Sequence, residues 1–171
     1  MRESEERYRQ IYNSPSDAII IHEAETGAIL DVNRAMLEMY GYDYHEALQL
    51  NIGKLSIDEP PYTQEEAEKL VRKVMQNQPQ TFEWLSRRKD GHLFWSEVAL
   101  KFTMIGARGY VIASVRDITE RREASAALAA ERERLAVTLK SIGDGVIATD
   151  TEKNIVMLNK VAEELTGWSS R

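Results

Sequence analysis

The chain has 171 residues, of which 43% are hydrophobic and 29% charged; its formal net charge is −6, and it has three histidines and no cysteine. A mildly acidic, mixed-sign surface offers no basic field to phosphates, which sets nucleic acid aside as a partner, and the lack of cysteine excludes disulfides, thiolate metal sites, thiol nucleophiles and thiol-linked chromophores. Apolar runs such as 18–21 and 110–113 fall far short of the roughly 20 residues that cross a bilayer, and Met1–Arg7 is charged where an export signal would be apolar, so the expected setting is a reducing cytoplasm with no membrane span in this segment.

Residues 3–13 carry Tyr8, Ile11 and Tyr12 at helical spacing among charges and stop at Ser14-Pro15, which predicts a short cap helix within residues 1–16. Two β-branched runs, 17–22 and 28–32, flank Glu25-Thr26-Gly27 and predict a hairpin. Asn33 then N-caps a short helix that Gly41 ends. Residues 42–62 contain Gly53, Pro60 and Pro61 and predict helical turns and loop. From Thr63 a capping box with Glu66 opens the main helix. Its inner face is Ala67, Leu70, Val71, Val74 and Met75, and its solvent side carries the pairs Glu65–Lys69 and Glu68–Arg72.

After Pro79 the period becomes two. Phe82 and Trp84 alternate with Glu83 and Leu85, Asp90-Gly91 predicts a type I′ turn, and 92–104 and 110–116 read as strands joined by a turn at 106–109. Asp117-Ile118-Thr119-Glu120 carries a capping pattern, so the last strand is expected to run into a helix without a hinge. Residues 119–140 lack Gly and Pro, and Asp117 to Lys140 holds five acids and five bases, the composition of a salt-bridge-laced helix. Leu128, Leu135 and Ile142 recur every seven residues with Leu139 beside them, as a coiled-coil seam requires, although Ala124, Glu131 and Thr138 at the intervening positions make it a thin one.

The end of the chain repeats its beginning. Asp17-Ala18-Ile19-Ile20 is echoed by Asp144-Gly145-Val146-Ile147, and 33–42 by 159–168, with Asn33 matching Asn159, Gly41 matching Gly167 and an aromatic after each Gly. The offset differs by one residue between the two blocks, which places a single-residue length difference in the hairpin turn, where such differences are tolerated.

With Asn33 and Gly41-Tyr42 in the first helix, Arg87-Arg88-Lys89-Asp90-Gly91 at the central hairpin and Asp117-Ile118-Thr119 at the exit, residues 3–121 resemble the PAS sensory domain family. The resemblance implies an α+β, profilin-like fold: a five-stranded antiparallel sheet in the order 2-1-5-4-3, with helices on one face enclosing a small pocket. It divides the chain into a cap (1–16), a complete domain (17–118), a signalling linker helix (119–140) and the opening part of a second, incomplete copy (141–171). It also implies a signalling role upstream of a histidine kinase or diguanylate cyclase effector in the same polypeptide; the seam of Leu128, Leu135, Leu139 and Ile142 adds the expectation of a homodimer through the linker helix.

Candidate sites are weighed against plainer readings. Haem-binding relatives take a histidine from the long helix, here 63–77, which has none, so His22, His45 and His92 read as structural or solvated and haem is disfavoured. Cysteine-linked flavin is excluded; a non-covalent flavin or small metabolite would find Trp84 or Trp95 as a wall, with Met36, Met39 and Met75 lining an adaptable pocket, although aromatics and methionines on such faces are more often core. No cofactor is required and none is identified. Asp58-Glu59 reads as a solvated loop, Gly106 to Gly109 lacks the Lys and Ser/Thr of a phosphate loop, and no residues assemble into catalysis, so no enzyme activity is expected. The leading expectation is a sensory module that detects a small ligand, redox state or partner, with Asp117, Ile118 and Thr119 as the candidates for passing the signal from sheet to helix. The competing function is a ligand-free dimerisation spacer.

Overall fold

The computed structural model describes residues 12–13, 16–141 and 144–168, with backbone alone for 139–141. Apart from Tyr12, Asn13 and Ser16, the expected cap at 1–16 lies outside the described residues, as do Ile142 and the side chain of Leu139. The chain divides into two compact units, Met1–Glu120 and Arg121–Arg171.

The first unit is built on a five-stranded antiparallel sheet of β1 (Ala18–Glu23), β2 (Ile29–Val32), β3 (Gln80–Arg87), β4 (Leu93–Ile105) and β5 (Arg108–Asp117), in the order β2-β1-β5-β4-β3. This is the order implied by the resemblance. Between β2 and β3 lie α1 (Arg34–Tyr40), α2 (Tyr44–Ala47), a 3₁₀ turn (Ile52–Leu55) and α3 (Gln64–Met75). Alternation decides the faces: Ala18, Ile20 and His22 of β1, Phe94, Ser96, Val98 and Leu100 of β4, and Val111, Ala113 and Val115 of β5 are all buried. Ala67 and Val74 of α3 join the same core, while Leu70 and Val71 are half-buried against it. Ala113 is paired with Ile20 on one side and Leu100 on the other, so the smallest side chain of the group stands at the sheet's centre.

Asn33 ties the first hairpin to α1. It is fully buried, and its Oδ1 accepts the N–H of Ile19 at 2.8 Å and of Met36 at 3.0 Å. Its Nδ2 donates to the carbonyls of Asp17 at 3.0 Å and Tyr12 at 3.2 Å. One side chain therefore caps a helix and closes a strand end that would otherwise expose polar backbone in the core. Gly41 ends α1 in the left-handed region at φ 80°, its N–H bonded to the Leu37 carbonyl at 2.9 Å.

Two local expectations are corrected. The β3–β4 connection is a three-residue loop, 89–91, closed by Arg88 N–H to His92 O at 2.9 Å, in which Gly91 alone takes a positive φ. A type I′ turn needs positive φ at both central residues, and the longer loop leaves Asp90 free to accept the His92 N–H through its carboxylate instead. At α3 only half of the expected capping box forms: Thr63 accepts the Glu66 N–H at 3.3 Å, but the Glu66 carboxylate turns to Lys69 at 2.6 Å. The full reciprocal box occurs at α2, between Asp43 and Glu46.

In the second unit, β6 (Ile147–Thr149) pairs antiparallel with β7 (Ile155–Leu158) and leads into α5 (Lys160–Thr166). Asn159 repeats the Asn33 clip: Oδ1 accepts from Val146 at 2.8 Å and Ala162 at 2.9 Å, and Nδ2 donates to Asp144 O at 2.9 Å. The clipped residues are 14 apart in the first copy and 13 in the second, which is the one-residue offset read from the sequence. A 23-residue helix, α4 (Thr119–Ser141), runs directly from β5. Among the described residues no helix is long and apolar enough to cross a membrane.

Replacing Asn33 with Ala strips four backbone groups of their partner, and leaving buried groups unpaired costs on the order of 1–3 kcal/mol each before relaxation. The expected result is a loss of about 3 kcal/mol in urea unfolding with an unchanged slope. A loss below about 1 kcal/mol, the scale of a simple cap, would show that the clip adds nothing to capping.

Candidate functional site

The short Ala113 side chain leaves space above the middle of the sheet. An inner cavity of about 70 Å³ occupies it, with Ile20, Leu100 and Ala113 among its floor residues, Ala67 and Val71 of α3 and the 3₁₀ residues Ile52 and Leu55 around it, and Phe82 and Trp84 on the β3 side. Sites for drug-sized ligands run to about 300–1,000 Å³, and a benzene-sized cavity to about 150 Å³, so the chamber by itself is smaller than either.

Three polar side chains reach the cavity: His22, Tyr40 and Ser86. Two belong to a hydroxyl relay. Tyr40 Oη lies 3.2 Å from Ser86 Oγ, Ser86 Oγ lies 2.7 Å from Ser96 Oγ, and Ser96 Oγ donates to the Trp84 carbonyl at 3.1 Å. Each hydroxyl has one proton, so the donation by Ser96 to a carbonyl makes Ser86 the donor to Ser96, and Tyr40 the donor to Ser86. Burial pushes the Tyr40 phenol up to about 12, partly opposed by its bond to Ser86.

His22 is 8% exposed, and its Nδ1 is 3.2 Å from the Gly27 carbonyl. A carbonyl only accepts, so Nδ1 carries the proton. Burial holds the imidazole below its ordinary pKa, with the Gly27 bond acting weakly the other way. The side chain is therefore neutral with Nε2 as a lone pair. Outside it lies a cleft of about 460 Å³ between the β1–β2 turn, residues 50–52 and α3, with Glu23, Glu25, Glu68 and Arg72 along its walls. His22, Ile52, Val71 and Val111 border both spaces.

At the exit, Asp117 Oδ1 accepts the Thr119 N–H at 2.9 Å and Oδ2 pairs with Arg88 Nη2 at 2.9 Å. Thr119 Oγ1 accepts the Trp95 N–H at 3.0 Å, and the Ile118 N–H returns to Trp95 O at 2.8 Å, with Ile118 only 2% exposed. Arg88 also donates through Nη1 to the Met39 carbonyl at the end of α1, and its guanidinium lies 4.6 Å over the Phe94 ring. Phe94 meets Tyr40 edge-on at 5.3 Å. A contiguous series of contacts thus joins the cavity wall to the first turn of α4: Tyr40, Phe94, Arg88, Asp117, Thr119.

Of the pocket residues named from sequence, Trp84 lines the inner cavity. Met36 is fully buried in the core and does not reach it, Met39 is half-buried and serves Arg88 through its carbonyl, and Met75 is 40% exposed on the wall of the outer cleft. Trp95 stands opposite Leu85, one residue out of phase with the inward-facing Trp84–Ser96 pair, and so faces the other side of the sheet; the Tyr62 ring meets both Trp95, at 5.9 Å, and Trp84, at 5.4 Å. Asp117, Ile118 and Thr119 come together as described, and Leu128 and Leu135 are 55% and 54% exposed on α4. His45 and His92 are exposed. Among the described residues no group of three His, Asp or Glu is placed to hold a metal. The sequence reading took His22 as structural or solvated and gave Arg88 no role beyond the hairpin motif. Strand parity puts His22 on the inner face with Ile20, which was the available signal; nothing local marks which arginine of Arg87-Arg88 turns to Asp117.

Two family models, each described as a PAS domain, match residues 16–120 and 133–171. A probable diguanylate cyclase of Escherichia coli, DgcE, is 34% identical over 115 residues, 64% of this chain and 10% of that protein. A methyl sulfide methyltransferase-associated sensor of Methanosarcina acetivorans is 27% identical over 140 residues, 82% of this chain and 14% of its own. The aligned region thus spans a small part of these relatives. The crystal structure of the PAS domain of an HTR-like protein from Haloarcula marismortui superimposes with a TM-score of 0.61 at 25% identity, covering 68% of this chain and 93% of that one.

Removing the first and the middle hydroxyl of the relay has unequal cost. Tyr40→Phe leaves every remaining proton placed and is expected to cost about 1 kcal/mol, whereas Ser86→Ala orphans the buried Tyr40 hydroxyl and is expected to cost about 2–3 kcal/mol; equal losses in urea unfolding would refute the donor order. His22 gives a second expectation. Its folded pKa is depressed, so below about pH 6.5 the unfolded chain takes up a proton that the folded chain does not, and stability falls as pH drops through that value. His22→Phe should flatten this part of the pH profile when unfolding is compared at about pH 7.5 and 5.5.

Proposed function

The chain belongs to the PAS domain family, and from that we propose that residues 17–118 form a sensory module that detects a small ligand in the inner cavity and relays its presence through the 119–140 helix to an effector of the cyclase or kinase type. The observation that carries this reading is the unbroken series from Tyr40 at the cavity to Thr119 at the start of α4. A ligand pressing on the Tyr40 ring displaces Phe94 and the guanidinium stacked on it; Arg88 then shifts its grip on Asp117, whose other oxygen caps the helix. Arg88 and Asp117 are 30% and 32% exposed, covered enough that their pairing is only partly screened by solvent.

The reading is a binding one rather than a catalytic one, because the polar groups at the cavity are a saturated hydroxyl relay and a single imidazole. The diguanylate cyclase and sensor relatives supply the effector types, and 141–171, with its second Asn clip, is read as the opening of another module of the same kind. The 119–140 helix is read as the dimer element: every described side chain from Glu120 to Thr138 is exposed, Leu128 and Leu135 among them, and a parallel partner would cover that seam together with Leu139 and Ile142. That same exposure is what favours the second reading, a ligand-free dimerisation spacer.

In the full-length protein, Asp117→Ala combined with Thr119→Ala is expected to change effector output while circular dichroism and the unfolding transition show an intact fold. Unchanged output would eliminate the relay and leave the spacer.

A further inference from the structure

We infer that the inner cavity and the outer cleft form one ligand site gated by His22, which takes a small neutral molecule bearing a hydrogen-bond donor, a short alcohol or primary amide, and rejects the matching carboxylate. This rests on the reading of the cavity as the sensory site and adds the chemistry of what enters it.

The argument begins with the imidazole. His22 lies where the two spaces meet, and its Nδ1 proton is committed to the Gly27 carbonyl. Its Nε2 has no protein donor among the described residues and is not sealed from solvent, so it is a free acceptor at which a ligand O–H or N–H would take the place of water. The hydroxyls of the inner chamber offer no complementary donor. All three hydroxyl protons of the Tyr40–Ser86–Ser96 relay are spent on protein acceptors, so a carboxylate carried inward would meet a lone pair and hydrocarbon. The cleft walls add to the bias: three carboxylates, Glu23, Glu25 and Glu68, face one cation, Arg72, which itself stands 3.9 Å from Glu68. At about 70 Å³ the chamber takes a hydrocarbon end of two to four carbons, with the donor at His22 and any remainder in the cleft.

The test uses the 171-residue chain and three probes of matched shape: propan-2-ol, 2-methoxypropane and propanoate, titrated while following the His22 ring nitrogens and the Val71 and Val111 methyls by NMR. Expected are an Nδ1-protonated ring, saturable shifts of Nε2 and both methyls with propan-2-ol, binding of the ether weaker by about tenfold as one lost hydrogen bond allows, and no saturable shift with propanoate. In His22→Phe the alcohol and ether should bind alike; should that variant not fold, the wild-type comparison decides alone. Equal binding of alcohol and ether, binding of propanoate as tight as that of the alcohol, an Nε2-protonated ring, or no saturable binding by any probe overturns the inference. The relay reading is judged separately, since it fails only if the Asp117 and Thr119 variants leave output unchanged.

Discussion

The buried amide of Asn33 makes the first hairpin and the first helix depend on each other. Strand β1 begins where its N–H and C=O groups would enter the core unpaired, and α1 begins where its first N–H groups lack intrahelical acceptors. Both deficits are met by one side chain at 2.8–3.2 Å. The Asn33 N–H also bonds to Ile19 O at 3.1 Å, so residue and strand hold each other from both sides. Because the same amide arrangement recurs at Asn159 with its own strand and helix, the clip is a local unit, its bonds in the second copy all falling between Asp144 and Ala162. The sheet order then follows, because β1 held by the clip can pair with β5 on its other edge.

From that anchored strand the register fixes the site. With β1 and β4 flanking β5, Ile20 and Leu100 both stand beside Ala113, and the missing side-chain volume becomes the chamber. Close packing elsewhere makes such a void informative, since protein interiors leave few. Its polar edge is divided by chemistry. On one side, hydroxyls saturate each other in a single direction; on the other, an imidazole keeps an unused lone pair at the opening to the cleft. The geometry thus places a discriminating group at the entrance and an inert relay at the back, where it touches the aromatic ring that leads to the exit.

Arg88 gathers that exit. It reaches the carbonyl end of α1, the face of Phe94 and the carboxylate of Asp117, and so joins three elements through one side chain. Asp117 and Thr119 then divide the work at the strand-to-helix junction, one capping the helix and the other holding the β4 backbone. A junction tied on both sides transmits displacement instead of absorbing it, which is why a helix that continues β5 without a break suits a relay.

The strands, the capped helices, the repeat and the Asp117 to Thr119 exit were legible in the sequence because each rests on residues a few positions apart: period-two alternation, Asn before and Gly after a short helix, a helix-forming stretch free of Gly and Pro. The turn at 89–91 and the half-formed box at Thr63 show the limit even there, since Asp90 and Glu66 each had two acceptable partners and propensity alone does not choose between them. What only the tertiary structure decided is which side chains share a space. Tyr40 and Ser86 are 46 residues apart, Arg88 and Asp117 are 29, and Arg88 and Met39 are 49; Met36 and Trp84 look alike as pocket candidates until the packing of α1 buries the first away from the cavity and the register of β3 puts the second on its wall. Those assignments depend on long-range packing and hydrogen bonding, which local patterns do not encode.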